Sequence, residues 1–385
     1  MNTLIVGDLH IGGSLSMGKP SSEDSLNSKV LDQSRILNWI IKISIEKNVT
    51  TLILTGDIFE DPNPDVYLSL IFIDWLKECQ SHDINIHIIY GNHDIKRIGK
   101  KYISGLDIIK NLNIDNVYFY NSIDTIHTKN FSYTLLPFRD RRSLGIALDE
   151  ANSHYRNLLD MESSCIPTEN KRVAIGHFVL QGSIYTGEID DLSNEIILNT
   201  NVFDNYDYTW MGHVHKPQVM SEIPYVAHIG SVDISDFGES EHEKIVVFID
   251  STSKKFEEIV IPNRKVKRIK SDIPKDQDAT EYLLSQIGDD LKDSVVKIDI
   301  KLDEFSSLNK ELIINKLKQV GVYHISSFVQ AKNKSVLSEE KRALVSDSMS
   351  PKEALKIWAE LNSLSDKEKS LFLESGFQIV EGSNE

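Results

Sequence analysis

The sequence predicts an α/β protein: a large layered strand–helix domain, then a small α+β domain and a C-terminal helical pair. Three observations carry that reading. Short apolar strands alternate with amphipathic helices over the first 262 of 385 residues, each apolar strand ends at a Gly or Asp that begins a polar loop, and the character changes at Pro262. At roughly 100–200 residues per domain, the length suits two or three domains with a sizeable core.

Taken in order, Thr3–Asp8 is a short apolar strand, and Val30–Glu46 is amphipathic through Leu31, Ile36, Leu37, Ile40 and Ile41. A strand over Thr51–Thr55, a helix from Asp65 to Gln80 and an alternating strand over Asn85–Tyr90 follow. Val173–Ile175 runs into Gly176 and Tyr208–Met211 into Gly212, before the strand-rich stretch Pro224–Ile229, Lys244–Asp250 and Phe256–Ile261. In layered α/β folds ligands collect at the carboxyl ends of strands, so the chemistry of these loops is expected to converge. Beyond Pro262, Asn263–Lys270 carries five basic residues in eight. Helices over Thr280–Leu291 and Leu308–Gln319 then interleave with strands over Val295–Ile300 and Val322–Val329, which predicts a second domain over 263–332. Residues 333–349 are polar and read as a linker. Ser350-Pro351-Lys352-Glu353 and Ser365-Asp366-Lys367-Glu368 each read as a capping box that starts a helix, with Gly376 as the stop of the second. The apolar residues of this pair, Trp358, Leu371 and Phe372 among them, dock either on the chain's own body or on a partner.

A composition of 40% hydrophobic and 26% charged residues excludes a disordered chain, a collagen-like repeat and a disulfide scaffold. The 42 Lys and Arg against 58 Asp and Glu leave a net charge of −16, which argues against sequence-blind phosphate binding over the whole surface. It leaves room for a nucleic-acid enzyme whose cations neutralise a carboxylate cluster. Cys79 and Cys165 stand far apart in no metal-ligand spacing and fit a reducing cytoplasm. No stretch approaches the ~18 apolar residues that span a bilayer. Met1–His10 lacks the basic start and small-residue cleavage site of a signal peptide. The expectation is a cytoplasmic protein with no membrane partner.

Five segments, each at a predicted strand end, carry the chemistry: Asp8-Leu9-His10, Gly56-Asp57, Gly91-Asn92-His93-Asp94, Gly176-His177 and Gly212-His213-Val214-His215. Each alone is weak, since Gly-Asp after a strand is usually a turn; all five together are not. Oxygen and imidazole ligands without thiolate suit manganese, iron, magnesium or zinc, rather than an iron–sulfur or copper(I) site. A carboxylate set between two such clusters can bridge two cations ~3.5–4 Å apart, the spacing used for in-line phosphoryl displacement. Asp94 reads either as a partner that orients His93 or as a loop cap.

This ordered set resembles the calcineurin-like metallophosphoesterases. The resemblance implies a four-layer sandwich, two central mixed β-sheets flanked by helices. It also implies a ligand assignment. Asp8, His10 and His215 would hold one metal and Asn92, His177 and His213 the other, with Asp57 bridging. His93, just outside the metal shell, would stabilise the transition state or protonate the leaving oxygen.

Finer features resemble the SbcD nuclease family: Gly56-Asp57-Ile58-Phe59-Glu60-Asp61, Gly176–Gly182, Gly212–Gln218, and Gly230-Ser231 followed by Asp236-Phe237-Gly238-Glu239. That resemblance implies a DNA-hydrolysing subunit with two Mn²⁺ ions (Mg²⁺ or Fe²⁺ possible in place), 3′→5′ exonuclease and single-strand or hairpin endonuclease activity, and a role in DNA repair, recombination or replication. It implies division into a nuclease domain (1–262), a capping, DNA-binding domain (263–332), a linker (333–349) and a helical segment (350–385) that binds an SbcC-type SMC-like ATPase. It further implies a homodimer, with an expected surface near 64–110. Glu60 stands where some relatives have a histidine, which leaves the exo/endo balance open. Lys96 and Arg97, next to the Gly-Asn-His-Asp segment, are the favoured DNA contacts; Arg139, Arg141 and Arg142 form a second basic cluster and 263–270 a third. Two rivals remain: a small-molecule phosphatase or diesterase of the same superfamily, and a scaffold without metals.

Overall fold

A computed structural model describes residues 2–20, 22, 25–98, 101–147, 149–185, 194–273, 277–302, 307–332, 351–361 and 366–382. The chain divides into two compact units. One comprises Met1–Ser271, Thr280–Ile300 and Asn309–Val329; the other comprises Asp272–Ala279, Lys301–Leu308 and Gln330–Glu385.

The chain opens with β1 (Asn2–Val6), α1 (Ser28–Glu46), β2 (Val49–Leu54), α2 (Val66–Ser81) and β3 (Asn85–Ile89). The hairpin β4 (Lys96–Ile98) and β5 (Lys101–Ile103), the short α3 (Leu106–Lys110) and β6 (Val117–Tyr120) follow. Next come β7 (Asp124–His127), β8 (Phe131–Leu136), α4 (Arg141–Leu144), α5 (Ala151–Ser164), β9 (Lys171–His177), β10 (Val179–Leu180) and β11 (Ile197–Leu198). The large domain closes with β12 (Tyr208–Gly212), β13 (Gln218–Glu222), β14 (Tyr225–His228), β15 (Ile245–Asp250) and β16 (Lys255–Val260).

Among the described residues these strands build two six-stranded sheets, ordered β16-β15-β1-β2-β3-β6 and β13-β14-β12-β9-β8-β7. Both are mixed: β1, β2, β3 and β6 pair in parallel while β15 runs antiparallel to β1, and β8, β9, β12 and β14 pair in parallel while β7 and β13 run antiparallel at the edges. Alternation along each strand sorts the core into layers. Leu4 and Val6 of β1 join Leu52, Leu54, Ile86 and Ile88 against Leu37, Ile40, Phe72 and Leu76 of α1 and α2. Ile5, Ile53 and Ile89 point the other way, into a core with Tyr133, Val173, Ile175 and Trp210 of the second sheet. The far face of that sheet, with Ala174 and Met211, packs on Ala151, Tyr155 and Leu159 of α5. The result is helix, sheet, sheet, helix. Central strands buried on both faces read as continuous apolar runs, which is why they were legible.

The stretch from 96 to 171 was not. β8 (FSYTLL) is buried at every position yet alternates aromatic or aliphatic with Ser and Thr, and α5 buries only Ala151, Tyr155, Leu159 and Ser163. The second small sheet is β17 (Val266–Asp272), β18 (Val295–Leu302) and β19 (His324–Lys332), with α6 (Ala279–Ser285) and α7 (Lys310–Val320) between its strands. The helix expected over Thr280–Leu291 is two pieces: α6 stops at Ser285, and a 3₁₀ turn over Asp289–Leu291 restarts after Gly288, whose extended backbone (φ −120°, ψ 179°) breaks the helix.

At the C-terminus α8 (Pro351–Leu361) and α9 (Asp366–Gly382) form the expected pair, with Trp358 stacked on Phe372 at 4.6 Å between ring centroids. Gly376 does not stop the second helix. It lies inside it, where a Cβ would sit 3.0 Å from Leu355 Cδ1, so the glycine serves close helix–helix approach. The linker 333–349 and the capping residues Ser350 and Ser365 lie outside the described residues.

Candidate metal centre

All seven expected ligands meet at the carboxyl ends of the two sheets. Asp8 and His10 follow β1, Asp57 follows β2 and Asn92 follows β3; His177 ends β9, while His213 and His215 follow β12. The turns that aim them are strained: His10, Asp57 and His213 all have positive φ (44°, 49° and 82°). Such conformations cost of order 1–3 kcal/mol each and cluster at functional sites. Two motif glycines are there for room. A Cβ on Gly91 would meet Asp57 Oδ1 at 2.1 Å, and one on Gly212 would meet Asp8 Oδ1 at 2.4 Å.

The expected ligands supply two triads able to hold an ion, Asp8–His10–His215 and Asp57–His177–His213; a third group among the described residues, His10–Glu60–His93, shares His10 with the first. In the first, His10 Nε2 and His215 Nε2 converge to 3.0 Å. In the second, Asn92 Oδ1 lies 2.7 Å from His177 Nε2 and 2.8 Å from His213 Nδ1. Asp57 Oδ2 stands between them, 3.4 Å from His10 Nε2 and 3.3 Å from His177 Nε2. Asp57 Oδ1 meanwhile accepts the His93 backbone N–H at 2.9 Å, and Asp8 Oδ2 accepts that of His213 at 2.8 Å.

Each imidazole is also fixed from behind. His177 Nδ1 donates to the Thr55 carbonyl at 2.9 Å, and His93 Nδ1 to the Glu60 carbonyl at 2.8 Å. His215 Nδ1 donates to Glu239 Oε1 at 3.2 Å. His10 Nδ1 sits 2.8 Å from Glu60 Oε2, and His213 Nε2 sits 2.9 Å from Glu195 Oε2. A partner on one ring nitrogen sets the tautomer and leaves the other nitrogen to ligate.

Asp94 is a loop cap. Its buried carboxylate accepts from Ile58 N and Gly91 N, both at 2.8 Å, and so ties the β2 and β3 loops together. Burial and the neighbouring Asp57 charge push it up to about 6. His228 is packed rather than reactive: burial, then the nearby His213, pushes it down to about 3, and its Nε2 bonds Ser183 Oγ at 2.8 Å.

The pocket calls for positive charge. Burial alone would depress His10 and His177, yet the acceptors around them win. Glu60 and Asp57 raise His10 to about 9, and Asp57 and Asp8 raise His177 to about 10. Burial would raise Asp57, but His177 and His10 hold it well below the usual carboxylate range. Oxygen and imidazole donors around buried carboxylates that draw protons onto their neighbours fit divalent cations.

Elsewhere, Lys96, Arg97 and Ile98 are exposed on the hairpin next to His93. The third basic cluster is largely paired: Arg264 forks onto Asp32 at 2.6 and 2.8 Å, Lys267 meets Glu241 and Arg268 meets Asp299. Sequence reasoning missed Glu195, which follows a polar stretch of sequence with no pattern, and Lys244, whose charge reads as exposed. No helix among the described residues is long and apolar enough to cross a membrane.

Residues 1–217 match the family model described as calcineurin-like phosphoesterase. The SbcD component of nuclease SbcCD from Escherichia coli (strain K12) is 20% identical over 270 residues, which cover 61% of this chain and 64% of that protein. DNA double-strand break repair protein Mre11 of Methanopyrus kandleri is 24% identical over 217 residues, 55% of this chain and 44% of that protein. The crystal structure of a dimetal phosphatase from Danio rerio aligns over 68% of this chain and 98% of its own, at 12% identity and a TM-score of 0.42. The chain thus spans less than two thirds of the length of these two sequence relatives.

Proposed function

The chain belongs to the calcineurin-like phosphoesterase family, and from that premise we propose that it is the nuclease subunit of an SbcC–SbcD-type complex. It hydrolyses DNA phosphodiester bonds with two Mn²⁺ ions, Mg²⁺ or Fe²⁺ being possible in their place. The observation that carries this is Asp57 Oδ2 standing between His10 of one donor triad and His177 of the other. Asp8, His10 and His215 would hold one ion and Asn92, His177 and His213 the other, with Asp57 shared between them. Bound there, such a pair would supply the chemistry of an acidified water and of phosphate charge neutralisation.

The chain's own residues do the rest. His93 keeps Nδ1 on the Glu60 carbonyl, so Nε2 is the end that meets the phosphate or its leaving oxygen. Lys96 and Arg97 present exposed positive charge beside it and hold the DNA backbone. The 263–332 segment serves as the capping, DNA-binding domain. Exposed Val66, Leu70 and Ile108, at the α2–α3 surface inside the expected 64–110 region, form the homodimer contact. The helical pair of 350–385, with Leu371 67% exposed, takes the SbcC-type ATPase.

The test is digestion of end-labelled linear DNA and of hairpins by the purified chain in Mn²⁺, with and without the cognate ATPase. Shortening from the 3′ end and nicking of the hairpin are expected. Turnover of a small chromogenic diester with DNA left intact would replace this reading with a small-molecule diesterase.

A further inference from the structure

We infer that the buried ion pair of Glu239 and Lys244 positions His215, and thereby sets how tightly the Asp8–His10–His215 triad holds its ion while leaving the other triad unaffected; this rests on the two-cation reading above. Glu239 is 1% exposed and Lys244 is 1% exposed. Glu239 Oε1 accepts the His215 Nδ1–H at 3.2 Å, and Oε2 accepts from Lys244 Nζ and Ser235 N, each at 2.9 Å. Lys244 Nζ spends its other two protons on the His215 carbonyl (2.9 Å) and on Ser231 Oγ (2.8 Å).

One ion pair therefore grips His215 at both ring and main chain. It leaves Nε2 bare and aimed at the point it shares with His10 Nε2. The grip reaches Asp8 too. Ser231 bridges to Asp8, and Val232 N donates to the Asp8 carbonyl at 2.9 Å.

A buried ion pair is a weak stabiliser, and an apolar pair of the same volume would fill the space as well. What an apolar pair lacks is an acceptor for the Nδ1 proton. The second triad has separate backing, the Thr55 carbonyl behind His177 and Glu195 beside His213. Losing an outer partner of a ligating histidine typically weakens metal binding ~10–100-fold.

The experiment compares Mn²⁺ binding by the full chain, wild type against two double variants, followed by calorimetric titration and by electron paramagnetic resonance. Glu239→Gln with Lys244→Met keeps an oxygen acceptor and removes both charges; it should bind both ions within a few-fold of wild type. Glu239→Leu with Lys244→Met keeps the volume and removes the acceptor. It should lose ~10–100-fold in affinity for one ion only, replacing the coupled two-manganese signal with that of an isolated ion. Equal binding of both ions by this second variant, or equal loss of both, overturns the proposal. Wild type that binds fewer than two ions would instead bring down the two-cation reading. Should the apolar variant fail to fold, long-range ¹H–¹⁵N spectra of metal-free wild type at mildly alkaline pH decide: a His215 proton on Nδ1 supports the clamp, and one on Nε2 refutes it.

Discussion

Where the first sheet delivers Asp8, His10, Asp57 and Asn92 to the pocket, the second delivers only imidazoles, His177, His213 and His215. Neither sheet completes either of the two ligand triads alone. Asp8 and His10 need His215 from across the core, and Asp57 needs His177 and His213. The oxygen donors sit on the tight turns after β1, β2 and β3, whereas the second sheet's histidines stand at or just past strand ends. What this teaches is that the pocket reports on packing. The Ile5, Ile53, Trp210 and Val173 layer between the sheets holds the two half-sites in register, so ion binding and sheet packing are one property measured two ways.

The sharpest way to break the arrangement is at the oxygen that faces both triads. Asp57→Asn removes that charge, and DNA cleavage should fall roughly 10⁴-fold or more with both ions bound more weakly. Steady-state rates paired with a Mn²⁺ titration check this; loss of one ion alone would show that Asp57 is not shared. His93→Gln should separate chemistry from ion binding. Cleavage drops ~10²–10⁴-fold while two ions still bind, and an unchanged rate would remove His93 from the reaction.

Trp210→Ala attacks the layer between the sheets rather than the pocket. It should cost about 3–5 kcal/mol in urea denaturation, with Mn²⁺ raising the midpoint of both proteins.

A contrast within the first sheet gives a pH test. His10 is raised by its carboxylate neighbours, while His87, buried beside Tyr118 and Tyr120, is pushed down from 6.5 to about 4 by burial. The unfolded chain protonates this imidazole below pH 6.5 and the folded chain only near 4. Stability contributed by keeping it neutral is therefore intact above 6.5 and lost as pH falls towards 4, by about 3 kcal/mol. Unfolding of His87→Phe across that range should be less acid-sensitive by that amount; an identical pH profile would reject the assignment.

The smallest effect belongs at the pocket's rim. Lys96→Ala with Arg97→Ala should weaken DNA binding several-fold and reduce the salt slope by about 2, leaving turnover at saturating DNA near wild type.

Much of this was legible beforehand for a physical reason. β1, β2 and β12 are buried on both faces, so they appear as largely apolar runs, β3 shows as a strand alternating around His87, and their ends are marked by Gly-Asp, Gly-Asn-His or Gly-His. β8 and α5 escaped notice because Ser132 and Thr134 are buried between apolar neighbours and α5 shows the core only a narrow stripe. Gly376 misled because a glycine that lets Leu355 approach looks, in one dimension, like one that ends a helix.

By itself the sequence determined the inventory: which side chains carry oxygen or imidazole donors, their order, and their places at strand ends, since backbone periodicity and turn residues are local properties. Tertiary structure alone decided which nitrogen of each histidine is free. That choice depends on the Thr55 carbonyl behind His177, the Glu60 carbonyl behind His93 and the Glu239 carboxylate behind His215, brought up by other segments, and a tautomer is set by whatever atom lies within hydrogen-bond reach in space.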